Sequence, residues 1–177
     1  VTKIERPGTG DEMRDYPPHS GGESALFAIL NRGKKSLEID LKQPDALTRL
    51  HPLLAQADIL IEQFRPGVMD RLGLGYKTLR DSYPRLIYCS ITGFGQDGPR
   101  AQFAGHDLNY LAISGLLSLS CGSDGAPTLP IAPIADIAGG TYPAFANILL
   151  ALIERERSGN GCHLDISMTE NLFTLAY

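Results

Sequence analysis

Two short runs carry the residue types from which acid/base chemistry is built: Phe103-Ala104-Gly105-His106-Asp107-Leu108-Asn109-Tyr110 and Pro133-Ile134-Ala135-Asp136-Ile137-Ala138-Gly139-Gly140. Each sets an ionisable side chain at the mouth of a predicted helix, His106 in the first and Asp136 in the second. An imidazole and a carboxylate so placed form a candidate acid/base pair, since a positioned His and Asp can take and return a proton. Each also has a structural reading. Asp136 suits an N-cap, satisfying the orphan N–H groups of the helix that follows, and His106 suits a hydrogen-bonded helix start. Gly139 and Gly140 strengthen the functional reading, because glycines near a helix start let a ligand approach N–H donors that stabilise an oxyanion.

Cations form a second constellation. Asn31-Arg32-Gly33-Lys34-Lys35-Ser36 is a basic cluster ahead of a strand, and Arg6, Lys42, Arg65 and Arg71 lie at or near element ends. Together they can hold several phosphate groups, although each alone reads as a solvated surface charge. No GxxxxGK[ST] run is present, which disfavours a nucleotide-triphosphate site. Ser114-Gly115 and Ser118 make no GxSxG, and Ser120-Cys121-Gly122-Ser123 lies in a loop without a paired base, so a serine or cysteine hydrolase is disfavoured. Cys89, Cys121 and Cys162 are odd in number and lack CxxC spacing. They suggest a reducing compartment, with neither a disulfide framework nor a metal site.

The 177 residues, 43% hydrophobic and 20% charged, can bury one core. A net charge of −4 argues against a nucleic-acid partner, which needs a basic surface. The longest apolar run, Ile148 to Ile153, reads as too short for a membrane, and no signal peptide opens the chain. A cytoplasmic protein is expected. Val1 stands where an initiator Met would, Val1 to Ile4 reads as the tail of a strand, and Met168 to Tyr177 as a helix stopped partway. The sequence therefore reads as an internal piece of something longer.

The elements that must position these residues follow from periodicity and punctuation. After a Pro- and Gly-rich loop from Asp11 to Gly22 comes the apolar stretch Ala25 to Leu30, and Ser36 to Leu41 alternates as a half-buried strand does. Pro44 opens a helix with Leu47, Leu50, Leu53, Leu54 and Ala57 at helical spacing. Ile59 to Ile61 is a strand, Leu79 lies in a short helix, and Arg85 to Ile91 is a third strand ending in Thr92-Gly93-Phe94-Gly95. This order is the βαβ signature of an α/β fold with a parallel sheet, whose ligands sit beyond the carboxyl ends of the strands. Gln63-Phe64-Arg65-Pro66-Gly67 and Thr92 to Gly95 occupy that place. A helix from Leu108 to Leu116, a loop from Ser120 to Pro133, a long helix from about Ile137 to Arg157 and a strand from His163 to Ser167 complete the chain. Arg155 and Arg157 complement the dipole of that long helix, which Ser158-Gly159-Asn160-Gly161 ends.

Over essentially its whole length the chain resembles the family III CoA-transferases, a group that also contains the α-methylacyl-CoA racemases. The resemblance rests on Ile4-Glu5-Arg6-Pro7-Gly8, Asn31 to Ser36 before Asp40-Leu41-Lys42, Glu62 to Gly67, Arg71-Leu72-Gly73-Leu74-Gly75, Pro84 to Tyr88, Thr92 to Gly95 with Gly98-Pro99, and the two runs above. It implies a Rossmann-like parallel sheet with flanking helices, residues 1–177 being part of a CoA-binding large domain without its first strand and helix or the small domain. It implies an interlocked homodimer, and an acyl-CoA substrate that brings coenzyme A, with no covalently bound cofactor and neither PLP nor metal required. Arg6, Ile39, Asp40, Leu41, Lys42, Gln63, Phe64, Arg65, Arg71, Gly105, Asp107, Leu108, Asn109 and Tyr110 would contact CoA.

In the transferase members the aspartate matching Asp136 is the nucleophile, whereas racemase members pair it with a histidine matching His106. The run Gly105 to Tyr110 with Ser114-Gly115 resembles the racemase form, so racemisation of 2-methylacyl-CoA is the expected reaction, with CoA transfer or an inactive CoA-binding fragment as alternatives.

Overall fold

The computed structural model describes residues 1–176, and the chain divides into two compact units, 1–52 and 53–177. Tyr177, the last residue of the expected terminal helix, lies outside the described residues.

In the first unit β1 (Thr2–Glu5) is followed by a 3-10 turn (Glu12–Asp15) and a small hairpin of β2 (His19–Ser20) and β3 (Glu23–Ser24). Ser24 caps α1 (Ala25–Asn31) by accepting the Phe27 N–H, and β4 (Lys35–Glu38) then pairs in parallel with β1. The sequence suggested a strand through Leu41, but β4 stops at Glu38. Ile39 is buried, and Asp40 turns the chain by accepting the Lys42 N–H at 3.0 Å, the local bond that aspartates make in turns. α2 (Ala46–Leu54) follows.

The buried apolar residues of 1–52 are Ile39, Ala46 and Leu50, so polar contacts carry much of this unit. Glu5 is their hub. Its carboxylate accepts both Arg14 Nε (2.8 Å) and Nη2 (2.9 Å), the Ser36 hydroxyl (2.8 Å) and the Asp11 N–H (2.9 Å). Chiefly the Arg14 bonds, opposed by burial and helped by Ser36 and Asp11, hold its carboxyl down to about 2 from 4.5. A depressed folded value stabilises the fold above the unfolded value and is lost as pH falls through the folded one. Acid should therefore loosen 1–52 between about pH 4.5 and 2. With Arg14 half exposed, the effect is on the order of 1–3 kcal/mol. Thermal melts at pH 7 and pH 3 check this. The loss should shrink in Glu5→Gln, and an equal loss in that variant would show that Glu5 is not the sensor.

In the second unit β5 (Ile59–Glu62), β6 (Ile87–Thr92) and β7 (His163–Ser167) form a parallel sheet in that order, with α3 (Val68–Arg71) and α4 (Tyr76–Ser82) between the first two strands. The parallel α/β class expected from the sequence is found, but its parallel strands fall into two sheets, β1 with β4 and β5 with β6 and β7. α5 (Asp107–Ser114) and α6 (Leu116–Leu119) are broken at Gly115, whose φ of 84° is the left-handed turn that glycine allows. A π-helical segment (Ala135–Thr141) runs into α7 (Tyr142–Ser158), and α8 (Met168–Leu172) with a 3-10 turn (Phe173–Leu175) closes the described chain.

α7 lays Ala144 and Ile148 on Cys89 of β6 and Ile166 of β7. A second cluster, Phe94, Tyr110, Leu111, Ala135 and Leu172, packs α5 and the π segment together with α8. Arg155 lies in the last turn of α7, as expected, and has a further role. It is buried and donates to Asp58 Oδ1 (2.9 Å) and the Arg85 carbonyl (3.2 Å), tying α7 to the chain before β5 and β6. The helix through Ala135–Ser158 has 24 residues and a mean hydropathy of 1.3 in its most apolar stretch, enough by length and composition to cross a membrane. The short-run argument from Ile148 to Ile153 is thus corrected, because the helix begins well before that run. One face of it packs on the sheet through Ala144 and Ile148, while most of the helix is exposed.

Candidate active site

His106 stands at the N-cap of α5, where its peptide N–H is taken by Asn109 Oδ1 at 3.0 Å. This reciprocal bond at the third helical position fixes the entry of the chain into the helix. The imidazole itself is exposed.

Asp136 is not the N-cap that its position suggested. It is the second residue of the π segment, with its side chain exposed. Such turns widen the helix and leave backbone groups to be satisfied from elsewhere, and they recur at functional sites. Here Thr141 donates its hydroxyl to the Asp136 carbonyl (3.0 Å), Asn171 of α8 donates to the Gly139 carbonyl (2.9 Å), and Asp107 Oδ1 accepts the Asp136 N–H (2.9 Å).

Gly139 and Gly140 are buried and serve packing, not ligand approach as expected. A Cβ on Gly139 would sit 2.5 Å from the Met168 carbonyl oxygen, and one on Gly140 would sit 3.1 Å from Met168 Cγ. The Ile137 N–H is likewise engaged, by the Pro133 carbonyl at 3.1 Å. The Asp136 and Ile137 N–H groups at this helix start are thus both engaged within the protein.

The Asp136 carboxyl is pushed up from its ordinary value, first by desolvation, then by the Asp107 charge, with the His106 charge opposing. His106, Asp107 and Asp136 thus share one electrostatic environment. Tyr110 belongs to it too. Its hydroxyl donates to the Gly105 carbonyl at 2.5 Å, and its own ionisation is pushed up by burial and by Asp136, with Arg65 opposing. The ring occupies space that a side chain at Gly105 or Gly93 would need, so both glycines are sites of close approach.

Arg65 comes from Gln63-Phe64-Arg65, which is exposed at the carboxyl end of β5, where parallel sheets hold ligands. Gln102 donates to the Pro66 carbonyl at 3.2 Å and so pins the chain before α5 to this turn. Arg71, one turn further, folds back so that its Nη1 lies 3.4 Å from where a Gly67 Cβ would be. Leu108 and Asn109 are exposed on the first turn of α5.

The second unit therefore brings together Gln63, Phe64, Arg65, Arg71, Gly105, the run His106 to Tyr110, and Asp136. The other expected CoA contacts, Arg6 and Ile39 to Lys42, belong to the first unit. There Arg6 makes an exposed pair with Glu12 at 3.0 Å, Asp40 shapes the turn, and Lys42 is exposed. Buried Ile39 offers no side chain to a ligand.

The sequence did not single out a polar cavity of about 370 Å³ on the second unit, which shares Arg65 with the site but does not include His106 or Asp136. In it Ser90 and His163 Nε2 lie 2.9 Å apart, Tyr76 stacks on His163 and Asp165 accepts the Gln96 N–H. No motif in the sequence pairs Ser90 with His163, because only the register of β6 on β7 brings them together.

A family model described as CoA-transferase family III matches residues 1–177. The chain belongs to CoA-transferase family III. Its relatives include the acetyl-CoA:oxalate CoA-transferase of Acetobacter aceti, 43% identical over 99% of this chain and 44% of that protein. They also include the human α-methylacyl-CoA racemase, 41% identical over 96% of this chain and 41% of that protein. The crystal structure of a CAIB/BAIF family protein from Brucella suis superposes with a TM-score of 0.90 at 37% identity, covering 99% of this chain and 47% of that one. The family III chain thus spans under half the length of the proteins it matches, and named relatives include both transferases and racemases.

Proposed function

We propose that the full-length protein racemises or epimerises 2-methylacyl-CoA thioesters by 1,1-proton transfer through an enolate. One observation supports this most: Asp107, the residue next to His106, accepts the Asp136 N–H at 2.9 Å, so two acid/base groups stand at one site. Removing the proton α to a thioester carbonyl from one face and returning one to the other needs two such groups across a planar enolate. Attack at the carbonyl carbon needs only one carboxylate.

In one direction the first group takes the α proton, the C–H electron pair moves onto the thioester oxygen, and the second group delivers its proton to the opposite face. The oxygen then needs donors. The first turn of α5 supplies them, since the Asp107 and Leu108 N–H groups precede any intrahelical acceptor, and one such donor contributes about 3 kcal/mol. In the same reading Arg65 and Arg71 hold phosphates of CoA. A second copy of the chain completes the assembly. An apolar stripe on α7, with Tyr142, Phe145, Leu150 and Ile153 all more than half exposed, supports such a cover, and sedimentation of the full-length protein as a monomer would exclude it.

A CoA-transferase is the second reading, favoured by the 43% identity to a protein of that name and by the exposed Asp136 carboxylate. There Asp136 attacks the thioester carbon, CoA thiolate leaves, and a mixed anhydride forms. The test is incubation of the full-length protein with a chiral 2-methylacyl-CoA in deuterated water. Racemisation predicts deuterium at the α carbon. Acyl exchange onto a free carboxylic acid without α-exchange would sink it.

A further inference from the structure

The carboxylate of Asp107 is committed to a contact that neither acid/base chemistry nor CoA binding requires. Asp107 opens α5, directly after His106, and its Oδ1 accepts the Asp136 peptide N–H at 2.9 Å across 29 positions of chain. That N–H is one of the orphan donors of a helix start, and its acceptor comes from a different helix. We propose, on the reading that His106 and Asp136 are the acid/base pair, that Asp107 is the positioning residue that couples them. It binds the backbone that carries Asp136 to the residue next to His106, fixing one reacting group against the other. Asp107, which the resemblance placed among the CoA contacts, is on this proposal a structural link.

The surroundings leave the charge of Asp107 with an effect of its own. The π segment packs against α5, α7, α8 and β7. α5 brings His106, Asp107 and Tyr110, α8 brings Glu170, β7 brings His163 and Asp165, and α7 brings Tyr142 at its start and its charged residues, Glu154 to Arg157, at its far end. Of these, Asp107 and His106 bear on the Asp136 carboxyl, in opposite senses. Asp107 therefore holds Asp136 in place and keeps it a stronger base.

Two substitutions in the full-length protein separate these effects, with Asp136→Asn as reference. Asp107→Asn retains an acceptor oxygen but loses the charge, so kcat on its plateau should stay within about threefold while the acid limb of the pH profile moves to lower pH. Asp107→Ala loses the acceptor, and kcat should fall by up to about 100-fold, as misplacement of a reacting group does, with KM for the acyl-CoA little changed. An unchanged acid limb in Asp107→Asn, with kcat of Asp107→Ala equal to wild type, would overturn the proposal. If Asp107→Ala does not fold, the acid limb of Asp107→Asn decides alone. Full activity in Asp136→Asn would instead remove the acid/base reading itself, whatever the Asp107 variants do.

Discussion

His106→Ala in the full-length protein should abolish inversion of a chiral 2-methylacyl-CoA, lowering its rate by about 10²–10⁴-fold, the range that a positioned acid or base contributes. Folding should survive. The imidazole is exposed, and the bond that fixes the start of α5 runs from the His106 N–H to Asn109, which alanine preserves. Loss of inversion with an unchanged melting temperature would therefore report chemistry. Asp136→Ala should abolish the reaction under either reading, whereas His106→Ala should leave acyl transfer largely intact if the protein is a transferase. Racemisation by this pair is wrong if inversion at the α carbon survives in His106→Ala.

The pH profile adds a second handle on the same pair. Asp136 must be ionised to accept a proton or to attack, and desolvation with the Asp107 charge raises the pH at which it ionises. Activity should consequently fall away, as pH drops, above the ordinary carboxylate range. The His106 charge opposes that rise, so whatever residual activity His106→Ala retains should have its acid limb displaced further upward.

The elements around this site were legible because each has a local cause. Ile59 to Ile61 is short and β-branched between turn residues, Gly115 and Gly159 stop helices by entering the left-handed region, and the Ala135–Ser158 helix is strongly apolar. The positions of His106 and Asp136 were legible too, through motifs that lie around them. What the sequence could not show depends on contacts between distant segments. The π turn exists because Asn171, Thr141 and Asp107 satisfy its backbone, and no period of apolar residues encodes that. Gly139-Gly140 suggested room for a ligand when the cause was a neighbouring carbonyl. The division of the parallel strands into two sheets was hidden for a similar reason, since strand order is a property of pairing and not of spacing.

The packing of the π turn on α8 makes Gly139→Ala the second large expected effect. The new Cβ would lie 2.5 Å from the Met168 carbonyl oxygen and 3.3 Å from Leu172 Cγ. The carbonyl belongs to the backbone where β7 passes into α8, and Leu172 is fully buried, so neither neighbour can turn aside. The helix must lift instead, straining the Asn171 bond to the Gly139 carbonyl. Overpacking of this kind costs about 1–3 kcal/mol. Gly140→Ala is the control, because its Cβ would meet the flexible Cγ and Sδ of Met168 at 3.1 and 3.2 Å, and a methionine end can move aside for less than about 1 kcal/mol. Thermal melts of the two variants should rank Gly139→Ala well below Gly140→Ala. Asp136 lies three positions before Gly139, so a lifted helix also carries its carboxylate away from His106, and activity should fall in Gly139→Ala even at temperatures where the variant remains folded. Equal melting temperatures, or full activity in the folded Gly139→Ala protein, would mean that α8 does not set the position of Asp136.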